Sequence, residues 1–185
     1  MPERQALQTR AAHGDVVAFE ALVRETKAGL YRFVRRYVGD ADESYDLTQE
    51  AYAAAWLAIR RYDPARSFEP WLWTIAINKC RDWSRRRNIR RLFMGATDLQ
   101  SAEALAVVDD EACAEDRYDT AEQAQRLHAA IVALPPKLKE PLLLTAIEER
   151  THAEAAEILG LSVKAVEMRV ARARQKLAQK LRAEA

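Results

Sequence analysis

Residues 151–174 read THAEAAEILGLSVKAVEMRVARAR, and the fold turns on how that stretch divides. Thr151 followed three residues later by Glu154 is a capping box, in which each side chain satisfies a backbone N–H at the start of a helix. The helix so begun carries Ala155, Ala156, Ile158 and Leu159 and reaches a turn at Gly160. Ser162, a favoured N-cap residue, starts the next helix. That helix sets Val163, Val166, Val170, Leu177 and Leu181 on one stripe and leaves Lys164, Glu167, Met168, Ala171, Arg172 and Gln175 facing outward. Small Ala155 lets the two helices approach closely. Helix, short glycine turn, helix is the pattern of a helix-turn-helix. In that motif the first half of the second helix enters the DNA major groove, about 12 Å wide, so Lys164, Glu167, Met168, Ala171 and Arg172 are the candidate readers. The competing reading is a solvated charged face on a packing helix. The capping box, the turn and the basic tail of Arg169, Arg172, Arg174 and Lys176 favour DNA.

Upstream, apolar residues recur at three- and four-residue spacing from Val16 to Val38, which predicts an amphipathic helix ended by Gly39 and Asp40. A second helix is expected from Asp42 or Ser44 to Arg61, with Tyr45, Tyr52, Ala55 and Ile59 inward. Pro64 biases Asp63 away from helix, so residues 62–67 form a loop. A third helix runs from Phe68 through Trp71, Leu72, Ile75, Ala76 and Trp83 to the basic run ending at Arg91. Between Met94 and Asp119 eight carboxylates face only Arg117 and apolar periodicity is weak, which predicts a flexible acidic linker. Fully extended it would reach roughly 80 Å, so the flanking units need not touch. Helix resumes over 121–133, breaks at Pro135-Pro136, and continues from Leu138 through Glu149. The expected class is therefore all-α: two small helical domains, residues 1–93 and 120–185, joined by the linker 94–119.

With 185 residues the chain is long enough for two such units, and 49% apolar and 31% charged residues with only five Gly suit packed helical cores. The net charge of +1 gives no global attraction to nucleic acid or membrane, so charge distribution must decide. Cys80 and Cys113 are too few for a disulfide framework and lack ligands at metal spacing, so no cofactor is expected and a reducing cytoplasm fits. Neither a signal-peptide run nor a span of roughly 20 apolar residues is present, which agrees with a cytoplasmic protein. His13, His128 and His152 are scattered, no nucleophile pairs with a base, and no phosphate-binding glycine loop occurs, so an enzyme and a small-molecule substrate are not expected.

Two further clusters carry chemistry. Arg81, Arg85, Arg86, Arg87, Arg90 and Arg91 follow Trp71, Trp73 and Trp83, a mixture of phosphate-pairing and base-stacking groups suited to distorted or single-stranded nucleic acid. Simple core packing is the competing reading of the tryptophans. Asp42, Glu43, Asp46, Gln49 and Glu50 form an acidic face; carboxylates at a helix start complement its dipole, which explains Asp42 and Glu43 but not Glu50.

Taken in this order, the segments resemble an extracytoplasmic-function sigma factor of the sigma-70 superfamily over nearly the whole chain. Asp46-Leu47-Thr48-Gln49-Glu50 is similar to the stretch of sigma region two that binds the polymerase clamp. Tyr62-Asp63-Pro64, Ser67-Phe68, Trp71-Leu72, Ile75-Ala76, Asn78 and Asp82-Trp83 resemble the segment of that region that opens and holds the minus-ten element. Leu134-Pro135, residues 153–161 and Ala165-Val166 through Arg172-Ala173-Arg174 resemble sigma region four.

The resemblance implies that Asp46, Gln49 and Glu50 dock on core RNA polymerase, with its flap as the second contact. It implies that Tyr62, Arg66, Ser67, Phe68, Asn78, Arg81, Arg85 and Arg86 meet minus-ten DNA. Lys164, Glu167, Met168, Ala171 and Arg172 would meet the minus-thirty-five element of promoter DNA. It also implies a linker threaded into the polymerase channel and an anti-sigma factor that restrains the chain until stress. Glu167 and Met168 stand where many relatives carry a basic or small polar residue, so the preferred minus-thirty-five sequence does not transfer, and the large carboxy-terminal extensions of some subgroups are missing. The alternative is a stand-alone helix-turn-helix regulator, which would bind a palindrome as a dimer without polymerase.

Overall fold

A computed structural model describes residues 2–94 and 114–183. Among them lie eight α-helices: α1 (Pro2–Ala12), α2 (Val16–Val38), α3 (Ala41–Ala58), α4 (Phe68–Met94), α5 (Ala114–Val132), α6 (Pro136–Ala146), α7 (His152–Leu159) and α8 (Val163–Ala183), with a 3-10 turn at Ile59–Arg61. Residues 95–113 of the expected linker lie outside the described residues; α4 extends through Met94, and α5 begins at Ala114, ahead of the expected boundary.

Local chemistry sets most helix limits. Asp15 caps α2, its carboxylate accepting from the Ala18 N–H at 3.1 Å, and that bond holds the Asp15 carboxyl below its ordinary pKa. Asp40 caps α3 through the Glu43 N–H at 2.8 Å. α1 went unforeseen because its polar sequence carries no amphipathic stripe; it is fixed instead by packing on α2 and by buried Ala11 and Gln8. The proline pair does not simply interrupt helix: Pro136 occupies the first turn of α6, where a missing N–H costs nothing.

The first unit packs α2 against α1, α3 and α4. Its core holds Leu22, Leu30, Phe33, Tyr37, Leu47, Ala51, Phe68, Leu72, Trp73 and Ile77. Tyr45, expected inward, is 55% exposed and its neighbour Ser44 is buried in its place, while Tyr52, Ala55 and Ile59 lie inward as expected, with Leu47, Thr48 and Ala51 beside them. The second unit packs α6 on α8, α7 on α8 and α5 on α8. There Val163 is 43% exposed, and Ala173 replaces it in the buried stripe with Val166, Val170 and Leu177.

The units do touch, with α2 against α5 and α6, and α4 against α6 and α7. Gly39 takes φ +91° to end α2, and a Cβ there would stand 3.0 Å from Val132 of α5, so glycine both terminates the helix and admits the second unit. Lys139 of α6 is buried at this seam. Its ammonium donates to the backbone oxygens of Tyr37 (3.0 Å) and Val132 (2.6 Å) and lies 4.5 Å from the Tyr37 ring centroid.

Burial pulls the Lys139 pKa down from 10.5 to about 8. Between those values the unfolded chain binds the extra proton, so stability rises with pH. Buried Cys80, pushed up from 9 to about 12, acts in the opposite sense, because above 9 the unfolded thiol releases a proton that the folded one keeps. Thermal melts are therefore expected to rise from pH about 8 to about 9 and to flatten above it. A Lys139→Met chain should show no such rise; an unchanged pH profile in that variant would remove Lys139 as the cause.

Candidate nucleic-acid and polymerase interface

The helix-turn-helix forms as its residues dictate. Thr151 Oγ1 accepts from the Glu154 N–H at 3.2 Å, and the Thr151 N–H donates to Glu154 Oε2 at 2.8 Å. Hydrogen bonding by Thr151 holds the Glu154 carboxyl below its ordinary range. Gly160 adopts φ +65°, and Ser162 Oγ accepts from the Ala165 N–H at 3.2 Å to start α8. Ala155 is fully buried where α7 meets α8. Lys164, Glu167, Met168, Ala171, Arg172 and Gln175 are all exposed, and their spacing of three and four residues makes one continuous face. Glu167 is not idle there: it lies 3.7 Å from Lys164 Nζ and 4.0 Å from His152 Nδ1.

On α3, Asp46, Gln49 and Glu50 are exposed, while their neighbours Leu47 and Thr48 are buried. The acidic patch is smaller than its sequence suggests. Glu43 accepts from the Trp83 indole N–H at 2.9 Å, and Glu50 faces Lys79 of α4 at 3.3 Å. The Lys79 ammonium thus offsets part of the repulsion between Asp46 and Glu50, inside the same unit.

The expected minus-ten residues separate into two kinds. Tyr62 (4% exposed) and Phe68 (fully buried), expected at the DNA, are core residues. The Tyr62 hydroxyl donates to the Arg66 backbone oxygen at 2.5 Å, and its ring meets Phe68 edge-on at 5.6 Å, so the pair pins the 62–67 loop. Pinning leaves Arg66 and Ser67 at the surface. Asn78, Arg85 and Arg86 of α4 are exposed as well. Arg85 pairs with Asp82 at 2.8 Å, and Asn78 Oδ1 accepts from Arg81 at 3.2 Å. Trp73 and Trp83 are buried and Trp71 is half-buried against Tyr62 and Phe68, so packing decides these tryptophans.

Arg81 is engaged differently. Its guanidinium forks onto Glu140 of α6, Nε to Oε1 at 2.8 Å and Nη2 to Oε2 at 2.6 Å. That bond raises the Arg81 pKa. Arg32 forks in the same way onto Glu148, at 3.1 and 2.9 Å, and Arg150 bonds Glu69. Glu140, Glu148 and Lys139 were not singled out in the sequence, although a Lys-Glu pair placed inside the run Leu138 to Leu144 is a signal that charge is buried there.

Comparison with known proteins agrees with both halves. The sigma-70 region 2 family matches residues 22–90, and the sigma-70 region 4 family matches residues 124–177. RNA polymerase sigma factor NccH of Alcaligenes xylosoxydans xylosoxydans is 38% identical over 94% of this chain and 91% of its own. The ECF RNA polymerase sigma factor SigW of Bacillus subtilis is 31% identical over 91% of each. Among solved structures, CnrH in complex with the cytosolic domain of CnrY superimposes with a TM-score of 0.71 at 32% identity, covering 98% of this chain and 99% of that one.

Proposed function

This chain belongs to the extracytoplasmic-function group of sigma-70 RNA polymerase sigma factors, and from that membership we propose how its surfaces divide the work of promoter recognition. A sigma factor is not an enzyme; it binds core RNA polymerase and directs it to promoter DNA. The exposed Asp46, Gln49 and Glu50 of α3 dock on the polymerase clamp. Arg66, Ser67, Asn78, Arg81, Arg85 and Arg86 meet the minus-ten element, with buried Tyr62 and Phe68 holding the loop that presents them. Unpairing a base costs a few kcal/mol, which this loop and the arginine-rich side of α4 would offset by holding the extruded strand. Lys164, Glu167, Met168, Ala171 and Arg172 read the minus-thirty-five element, and the acidic segment between α4 and α5 links the first domain to the second, whose helix α5 already begins at Ala114. The factor works in the cytoplasm, and no helix among the described residues is long and apolar enough to cross a membrane.

The single observation that supports this division most directly is the uninterrupted exposed face of α8, which follows the capped helix α7, the turn at Gly160 and the Ser162 N-cap. Arg172→Ala is expected to weaken use of the cognate promoter by the holoenzyme by about 1–3 kcal/mol and to lower the salt dependence of binding. Run-off transcription with purified core polymerase measures the first and a salt titration the second. Specific transcripts that appear only with core polymerase separate a sigma factor from a stand-alone regulator. A chain that binds a palindrome tightly alone, and starts no transcript with core polymerase, would refute the assignment of roles.

Relatives solved with anti-sigma factors, among them CnrH with CnrY, support a restraining partner of that class for this chain.

A further inference from the structure

Helix α1 carries no apolar stripe, yet it is fastened at both ends. Arg10 Nε and Nη2 hold Asp15 Oδ2 at 2.8 and 2.6 Å. Arg4 lies 3.4 Å from Glu25 of α2 and 3.6 Å from Glu69 in the first turn of α4. Two glutamines three residues apart, and so on one face of α1, reach the 62–67 loop. Gln5 Nε2 donates to the Pro64 backbone oxygen at 2.5 Å. Gln8 is 4% exposed, and its Oε1 lies 3.2 Å from the Tyr62 hydroxyl, the group that also donates to the Arg66 backbone oxygen. Within the loop the Asp63 backbone oxygen accepts from the Arg66 N–H at 3.0 Å, and Asp63 Oδ1 from the Ala65 N–H at 2.9 Å. Backbone oxygens at 63, 64 and 66 are thus all engaged from inside the first unit. The exposed Gln5 adds little to stability by such a bond, but it fixes where a backbone 59 residues away lies.

We propose that Gln5 and Gln8 are positioning residues for minus-ten recognition, holding the 62–67 loop from α1 in the shape that sets Arg66 and Ser67 against an extruded base. The proposal rests on reading that loop as a minus-ten contact. Both Arg66 and Ser67 are exposed, so their placement is inherited from the backbone beneath them. The consequence is for discrimination more than for affinity. A loop free to shift re-pairs its polar groups with a wrong base, whereas a loop held on three backbone oxygens leaves them unpaired, and that loss is what separates right from wrong.

The test uses the full chain assembled with core polymerase. Gln5→Met keeps the length of the side chain at an exposed position and removes its donor; Gln5→Lys restores a donor. Fluorescence anisotropy reads the binding of single-stranded minus-ten oligonucleotides, the cognate strand and a set in which each base in turn is replaced. The Gln5→Met holoenzyme should lose about fivefold of its preference for the cognate base at one position, the size of one ordinary hydrogen bond. Gln5→Lys should keep the wild-type preference, and the melts of all three chains should lie within about 3 °C. If α1 is only structural, every oligonucleotide weakens in proportion and no preference changes. That outcome, or a Gln5→Lys holoenzyme as undiscriminating as Gln5→Met, overturns the proposal. Gln8→Met, which acts through Tyr62, should lose preference at the same position, and a loss at a different position overturns it as well. Arg66→Ala combined with Ser67→Ala separates the two levels. If this double variant keeps the full preference, the reading of the loop fails; if it loses the preference while Gln5→Met keeps it, the brace from α1 alone fails.

Discussion

A chain carrying Asp46→Arg together with Glu50→Arg is expected to lose assembly with core RNA polymerase by about a hundredfold or more. Both side chains are exposed on α3, so the reversals disturb no packing. The contact between Glu50 and Lys79 is itself a surface pair, with 47% and 34% of the two side chains exposed, and its loss costs less than about 1 kcal/mol of fold stability. At an interface the arithmetic differs, since disrupting a desolvated charge pair costs about 2–5 kcal/mol, and two such losses exceed a hundredfold in affinity. Fluorescence anisotropy of labelled chain titrated with core polymerase reads the affinity, and a thermal melt verifies the fold. Retained binding in a folded variant would move the docking surface elsewhere. Gln49 lies on the same face, and Gln49→Ala should cost far less, because no charge is involved.

The second large effect is structural. Trp73→Ala is expected to destabilise the chain by about 3–5 kcal/mol, because Trp73 is 1% exposed and its removal leaves a cavity that the helices around it fill only in part. Its ring meets Phe33 edge-on at 5.0 Å, and the Arg150 guanidinium sits 5.6 Å from its centroid, so the cavity would open beneath the seam between the two units. For a chain of this size the melting temperature should fall by about 10 °C, measurable by calorimetry. Half-buried Trp71, tilted against Tyr62 and Phe68, should cost less. This outcome also separates packing from base stacking. A Trp73→Ala chain that melts like wild type but fails to open promoters would make Trp73 a nucleic-acid contact.

The parts of this protein legible without coordinates were those fixed by neighbours in sequence. The capping box at Thr151 and Glu154, the turn at Gly160, the N-cap at Ser162 and the outward row on α8 depend on contacts within four residues, and each is present as the spacing requires. The same holds for α2, whose apolar stripe and Gly39 terminus are local. Less legible were residues whose type suits two environments. Tyr45 and Tyr52 are chemically alike, yet one is exposed and the other buried with its hydroxyl 3.0 Å from Thr26 Oγ1, because helix rotation about the core decides which faces inward. The resemblance places Tyr62 and Phe68 at minus-ten DNA, and only the packing around the 62–67 loop makes them its anchors.

The sequence by itself determined an all-helical chain, two units, and the helix-turn-helix named at the outset, since each follows from periodicity, caps and turns. Tertiary structure alone decided that the units pack together, that Glu140 rather than solvent holds Arg81, and that Lys139 is buried among backbone carbonyls. The physical reason is distance along the chain. Arg81 and Glu140 are 59 residues apart and Arg32 and Glu148 are 116 apart, and whether such charges meet depends on how α6 lies across α2 and α4. No local pattern encodes that crossing; it is set by complementary shape at Gly39 and Val132 and by the pairing of carboxylates that would otherwise be buried alone.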